Sequence, residues 1–510
     1  MNRKLGTPIV TREKRIGILI FLILLTCYAY FPPRWADWNQ NSRLNLVMAI
    51  VDRGELNIDH YIGGFTSTGD YAAYGDHLYS TKAPGSAFLG VPVYWVYQRF
   101  LGQDFTVTIL GAIGSRQAFL ETLNAAGTGL LPEKLQAAIA LSLLTLVLVS
   151  IPSALLGVAL YAFCGKFNLS RRARIAAVLL YGLATIAFPY SGAYYGHQIV
   201  AVLLFLAFYL AFLIDRSKRS PVWGIAVGLM LSFAVITEYP AVIVAIAIAL
   251  YLLLKRPSLR TFAYMVLGAS PPAFLWMGYN MAIFGKPIAF GYLYAPLFKE
   301  VNTAGFFSLV GPRMEAFWGI TFSSYRGLFF LSPILLLTIP GFMILLRRRI
   351  WRAETMVSLW AFLGFFIFNM SSLMWDGGYA VGPRYLVPML PFLVLPLATC
   401  LESCRQRKGL MIVAGLLALW SLFTVWAETL GGQQFPDYAR NPLFEYSLPR
   451  LSSGDFARNA GTILGLPGWL SLIPLLALVG AMLAYLIWVL TGHERGGSTS
   501  AGRESVRTLS

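Results

Sequence analysis

The chain is expected to be an all-α polytopic membrane protein of about twelve transmembrane helices with a large first extracytoplasmic loop, and three observations predict this. The composition is 57% apolar and only 12% charged over 510 residues, with a mean hydropathy of +0.64. Long apolar runs recur along the chain, each able to cross the roughly 30 Å hydrocarbon core that takes about 20 helical residues. Basic clusters fall at every second connection between those runs, the pattern that orients helices with lysine and arginine in the cytoplasm.

The runs place spans at 16–32, 136–163, 175–193, 198–214, 221–237, 239–254, 261–284, 328–346, 355–374, 386–401, 409–429 and 466–490. They must be helices, because backbone groups facing lipid find hydrogen-bond partners only within the segment. The third and fourth, and the fifth and sixth, form tight hairpins, split at residues 192–196 and at Pro240. Basic residues cluster at 12–15, 166–174, 216–219, 255–260, 347–352 and 405–408, and in the tail after Thr491. That side of the membrane holds 25 of the 40 basic residues and only 6 of the 23 acidic ones. The net charge of +17 is therefore topological and implies no nucleic-acid partner. The segments divide into a cytoplasmic N-terminus (1–15), a first helix (16–32), the loop (33–135), helices two to twelve (136–490) and a disordered cytoplasmic tail (491–510). Tyr28-Ala29-Tyr30-Phe31-Pro32 is a poor cleavage site, so the first run reads as an uncleaved anchor. Cys27 lies in a span and Cys164, Cys400 and Cys404 near the cytoplasmic face, where no disulfide is expected.

Chemistry is expected where irregular, acid-bearing sequence gathers, which is the loop 33–135. It carries Asp37, Asp52, Glu55, Asp59, Asp70, Asp76, Asp104, Glu121 and Glu133. Residues 43–53 have helical spacing of Leu44, Val47, Met48 and Val51, and 85–101 is a second apolar stretch with Tyr94, Trp95 and Tyr97. Both read as helices lying at the membrane interface. Shorter segments at 190–197, 237–240, 286–326, 376–385 and 431–464 are expected on the same face.

Several short stretches occur in a telling order: Asn39-Gln40-Asn41-Ser42-Arg43, Asp52-Arg53-Gly54, Ile58-Asp59, Thr68-Gly69-Asp70, Tyr79-Ser80-Thr81-Lys82-Ala83-Pro84-Gly85, Gly196-His197, Thr237-Glu238-Tyr239-Pro240, Tyr325-Arg326-Gly327 and Gly382-Pro383-Arg384-Tyr385. In order and sidedness they resemble the GT-C superfamily of membrane glycosyltransferases, and most closely its bacterial family-39-like branch of protein mannosyltransferase and aminoarabinose transferase relatives. The resemblance implies a sugar taken from a polyprenyl-phosphate donor, undecaprenyl phosphate in a bacterium, and moved to an acceptor on the extracytoplasmic face of the inner membrane. It also implies an acid in the first outer loop, yet the positions matching the acidic pair of better-known relatives are Asn39 and Gln40.

Such a transfer needs a carboxylate to take the acceptor proton and cations to hold the leaving phosphate. Asp70, Asp59 and Asp37 are the candidate bases, and Arg384, Lys82, Arg43 and Arg326 the candidate phosphate ligands. Glu238, His197, Tyr195, Tyr385 and Asn41 are expected to line the substrate pocket. Each has a bland counterpart: loop carboxylates cap helices, long cations snorkel, and tyrosines mark interfaces. A divalent cation is compatible with relatives that bind one beside the donor phosphate, although no spacing demands it. The partners expected are membrane lipid and the lipid-linked donor, with the acceptor open. Two other functions compete, a lipid or lipid-linked sugar transporter and a glycan ligase on the same scaffold. The first would place ionisable groups at mid-membrane, where this chain has almost none.

Overall fold

The structure is a computed structural model that describes residues 8–31, 37–113, 132–217, 220–255, 258–348, 351–432 and 436–491. Glu121 and the tail beyond residue 491 lie outside the described residues. The fold is helical, and every expected span falls on a helix or a series of helices. Among the described residues six helices are long and apolar enough to cross a membrane: Glu133–Phe167, Gly196–Ile214, Arg352–Ser371, Arg384–Cys404, Lys408–Leu430 and Gly468–Thr491. Helices Trp223–Thr237 and Tyr239–Leu254 are shorter and apolar.

Other spans are interrupted for reasons visible in the sequence. The eighth is built from Leu328–Leu331, Pro333–Leu337 and Thr338–Arg348, breaking at Ser332 because the residue before a proline is pushed from helical to extended backbone. The tenth starts as a tighter turn, Arg384–Leu393, where Pro388 and Pro391 supply no N–H, and relaxes into the α-helix Val394–Cys404. Helices Trp223–Thr237 and Leu259–Phe284 touch backbone to backbone: a Cβ on Gly228 would lie 1.8 Å from the Met265 carbonyl oxygen, and one on Gly268 would lie 2.0 Å from that of Ile225. Small residues permit such approach where lipid gives helices no hydrophobic reason to associate.

Polar contacts tie the basic clusters to one another at one end of the bundle. In α1 (Pro8–Ala29), Glu13 accepts from Arg171 Nε at 2.6 Å and from Tyr161 Oη at 2.8 Å. Glu402 accepts from Ser170 N at 3.1 Å, and Lys255 lies 3.5 Å from Glu354. The acid-bearing segments meet at the opposite end, where Tyr325 Oη donates to the Asp437 carbonyl at 2.8 Å and Ala460 N donates to that of Tyr30 at 2.8 Å.

The first loop departs from expectation in three ways. Helix α2 (Trp38–Met48), which continues through Ala49–Arg53 with a wider turn, is buried from Asn39 to Met48 and does not lie at an interface. Its polar side chains are consumed by neighbours: Asn45 donates to the Thr66 carbonyl, Asn41 to that of Ser67, and Ser42 to that of Asp70. Residues Tyr71–Tyr74 (β1) and His77–Ser80 (β2) form an antiparallel hairpin whose turn uses Gly75 at φ 60°. Helix α3 (Gly85–Phe100) matches the expected stretch and exposes Trp95, Val96 and Phe100; a further helix, α4 (Gly102–Ile113), follows it.

Candidate functional site

Helix α2 and the hairpin aim the central charges. Arg43 leaves α2 one turn after Asn39, is 1% exposed, and donates to Asn39 Oδ1 (3.2 Å), Ser86 Oγ (2.7 Å) and Glu238 Oε1 (2.5 Å). Glu238 caps the end of Trp223–Thr237 in extended backbone, with Pro240 two residues on starting the next helix. Space for its carboxylate depends on Gly196, where a Cβ would sit 2.3 Å from Glu238 Oε1 and 3.0 Å from Arg43 Nη2. His197, the next residue, is buried with Nδ1 3.7 Å from the same oxygen, a distance of charge contact longer than a hydrogen bond. Its Nε2 is buried without a hydrogen-bond partner among the described residues.

Lys82 and Asp70 form the second charge pair, at 2.7 Å, with side chains 10% and 13% exposed. The Asp70 backbone is held by hydroxyls: Ser42 and Thr81 donate to its carbonyl, and its N–H donates to Thr68 Oγ1. Lys82 Nζ also stands 5.8 Å from the ring centre of Tyr292. Tyr292 in turn lies 6.1 Å from the ring of Tyr239 and within the fields of Glu238 and Arg43.

A third group surrounds Arg384. Asp37, the N-cap of α2, accepts from the backbone of Gln40 at 2.9 Å and from the hydroxyl of Tyr195. Burial, with Asp37 beside it, raises the Tyr195 phenol well above its ordinary value, so it stays a protonated donor. The Arg384 guanidinium lies 5.4 Å from the ring centres of both Tyr195 and Tyr385. His197 joins this group to the first, stacking on Tyr195 at 6.1 Å and meeting Tyr385 edge-on at 5.4 Å. Arg384 is 9% exposed, has no carboxylate within ion-pair distance among the described residues, and its Nε has no hydrogen-bond partner there. Gly377, at φ 74°, leaves room for it, since a Cβ there would approach the Arg384 side chain at 3.1 Å.

The structure thus brings Arg43, Glu238, His197, Lys82, Asp70, Asp37, Tyr195, Tyr385 and Arg384 into one neighbourhood; the His197 ring lies within the fields of Arg384, Arg43 and Lys82. Three expected site residues have other surroundings. Asp59 is partly exposed beside the hairpin, 2.6 Å from His77 Nδ1 and accepting from Leu78 N at 2.7 Å. Arg326 is fully buried and donates to the backbone carbonyls of Asp376, Gly378, Pro436 and Tyr325, which fixes loops with its charge. Asn41 turns its amide to the Ser67 carbonyl. Tyr292 and Ser86 were not singled out from sequence; the flank of Tyr292 by Lys286 and Lys299 in an outer segment was the available signal. Among the described residues no three acidic, histidine or cysteine side chains converge as a metal site requires.

No family model matches the chain, and no curated protein matches it. Among solved structures it is similar to ArnT from Cupriavidus metallidurans bound to undecaprenyl phosphate, at 14% identity and a TM-score of 0.41, covering 94% of this chain and 78% of that one. The same protein in its apo state gives 14% identity and a TM-score of 0.41, with 94% and 77% covered. At that level the likeness adds nothing about the site.

Proposed function

We propose that the protein is an integral-membrane glycosyltransferase that moves a sugar from a polyprenyl-phosphate donor to an acceptor at the end of the bundle where the acidic segments meet. The observation that carries this reading is Arg384, a buried guanidinium with tyrosine rings around it and, among the described residues, no carboxylate within ion-pair distance. Holding an unpaired charge out of water costs several kcal/mol, and an arriving phosphate removes that cost while accepting the fork of N–H donors. The alternation of basic clusters supports placing this end outside the cytoplasm, on the periplasmic or exterior side of a bacterial inner membrane. The clean mid-spans disfavour a transporter.

Lys82 and Arg384 hold the donor phosphate, with Arg43 reserved for Glu238. The acceptor hydroxyl oxygen attacks the anomeric carbon, the bond from that carbon to the phosphate oxygen breaks, and the phosphate leaves with the electron pair. The acceptor proton goes to Asp70. Among Asp37, Asp59, Glu238 and Asp70, Asp70 is preferred because its carboxylate faces a single side chain, the Lys82 ammonium. Asp37 holds Tyr195 and the α2 N-terminus, Asp59 holds the hairpin, and Glu238 holds Arg43. When the phosphate draws Lys82 away, Asp70 is left free to act as base.

The test uses purified protein in lipid nanodiscs with undecaprenyl-phosphate-linked sugars, reading acceptor-dependent release of undecaprenyl phosphate. Asp70→Asn keeps shape and loses the proton-accepting charge, so turnover falls about 10²–10⁴-fold while donor binding persists. Normal turnover by Asp70→Asn removes Asp70 as base. Failure of the wild type to bind undecaprenyl phosphate at all removes the proposed function.

A further inference from the structure

His197 has a place in this cluster that the transfer step above leaves unused. One ring nitrogen, Nδ1, faces the Glu238 carboxylate at 3.7 Å. The other, Nε2, is buried without a hydrogen-bond partner among the described residues, and the ring meets Tyr385 edge-on at 5.4 Å, Tyr385 itself lying against Arg384. A buried polar nitrogen without a partner is expensive unless a ligand completes it.

The charges facing the imidazole come from every element around it. Arg43 reaches it from α2, Lys82 from the segment after β2, and Arg384 from the start of Arg384–Cys404. Glu238 is the facing acid, and Tyr190, Tyr195 and Tyr385 close the ring's sides. Burial first, and then the repulsion of Arg384, Arg43 and Lys82, act against a positive charge on this ring, with Glu238 opposing them. A phosphate on Arg384 and Lys82 cancels part of that repulsion. Glu238 then favours an imidazolium whose Nε2–H points at the phosphate.

We propose that His197 is a further ligand of the phosphate and takes up a proton when the phosphate binds, so that lipid-phosphate affinity rises as pH falls. This rests on the phosphate site assigned above. No bond to the sugar is involved: the proton comes from solvent, and the phosphate gains one hydrogen-bond donor and one positive charge.

Undecaprenyl phosphate and inorganic phosphate share the chemistry, and both serve as probes. Calorimetric titration of the detergent-solubilised protein in two buffers of different ionisation heat reads proton uptake directly. Uptake approaching one proton per phosphate corresponds to affinity rising about tenfold per unit fall in pH. His197→Gln keeps a neutral donor of similar reach and flattens that slope to the part due to the phosphate's own titration. Uptake with the lipid alone assigns the site to the lipid carrier; uptake with inorganic phosphate too assigns it to the phosphate group in general. If His197→Gln does not fold, ¹⁵N NMR of labelled histidine in the wild type gives the same answer, because an imidazolium signal must appear on addition of undecaprenyl phosphate. Tight binding with no proton uptake, or a slope unchanged in His197→Gln, overturns the role of His197 while leaving the phosphate site standing. Absence of phosphate binding overturns both.

Discussion

Arg174 and Arg384 lie at opposite ends of the bundle, each 9% exposed and each against tyrosine rings, but their electrostatic partners differ. Arg174 stands 4.3 Å from the centre of Tyr161 and 3.4 Å from Glu13, which also binds Arg171. Arg384 has tyrosines on its faces and, among the described residues, no carboxylate within ion-pair distance, Asp37 being reached only through Tyr195. The first arrangement closes helix ends with matched charges. The second is the arrangement proposed to receive a phosphate. Arg326, the fully buried arginine near the same end, shows that burial alone does not distinguish them: its charge is spread over four backbone carbonyls.

The comparison can be broken most severely at Glu238. If it exists to neutralise Arg43, Glu238→Ala strands a buried guanidinium and costs about 3–5 kcal/mol, read as a large drop in melting temperature in detergent. A loss below about 1 kcal/mol would class the pair with ordinary exposed ion pairs.

The structural end predicts a smaller effect with a defined pH dependence. Burial alone would raise the Glu13 carboxyl, but hydrogen bonds from Arg171 and Tyr161 and the charge of Arg174 outweigh it and leave it below its ordinary 4.5. Stability from this cluster is thus present above pH 4.5 and lost as pH falls through the lowered value. Glu13→Gln should cost roughly 1–2 kcal/mol at neutral pH, discounted for partial exposure, and should flatten the acid limb of the melting curve. Transfer activity should be unchanged. An activity loss without a stability loss would show that this end is not merely structural.

The smallest effect lies at the hairpin. The hydrogen bond to Asp59 raises the exposed His77 imidazole above its ordinary 6.5. The contact's contribution is complete below 6.5 and disappears as pH rises through the raised value. Asp59→Asn should move the His77 NMR titration back toward 6.5 and leave turnover nearly intact; a large loss of turnover would return Asp59 to the reacting centre.

The helical spans and the two ends were legible because apolar length and lysine and arginine placement report on lipid directly. The motif stretches were legible as stretches, and Lys82, Glu238, His197 and Arg384 do come together. Burial of α2 was not, because Asn39, Asn41 and Asn45 are polar, and their partners are Arg43 one turn on in the same helix and the carbonyls of Ser67 and Thr66 in the segment that follows. The contacts of Arg326 and Asp59 leave no trace in the sequence for the same reason: carbonyl partners at residues 376, 378 and 436 have no side-chain signature, and the hairpin that brings His77 to Asp59 depends on a turn at Gly75. Tyr292 was one tyrosine among 26 until Lys82 was found over its ring.

The central claim is that Arg384 holds a charge reserved for a phosphate, and the direct measurement is the melting temperature of wild type and Arg384→Gln with and without undecaprenyl phosphate. Without lipid, Arg384→Gln should be as stable as wild type or more so, because a buried unpaired charge is gone. With lipid, the wild type should gain stability as RT ln(1 + [L]/Kd), about 2.7 kcal/mol at a hundredfold excess over Kd, and the variant should gain little. A variant that is destabilised without lipid yet stabilised by it as much as wild type would show that Arg384 is a packing residue and would contradict the account.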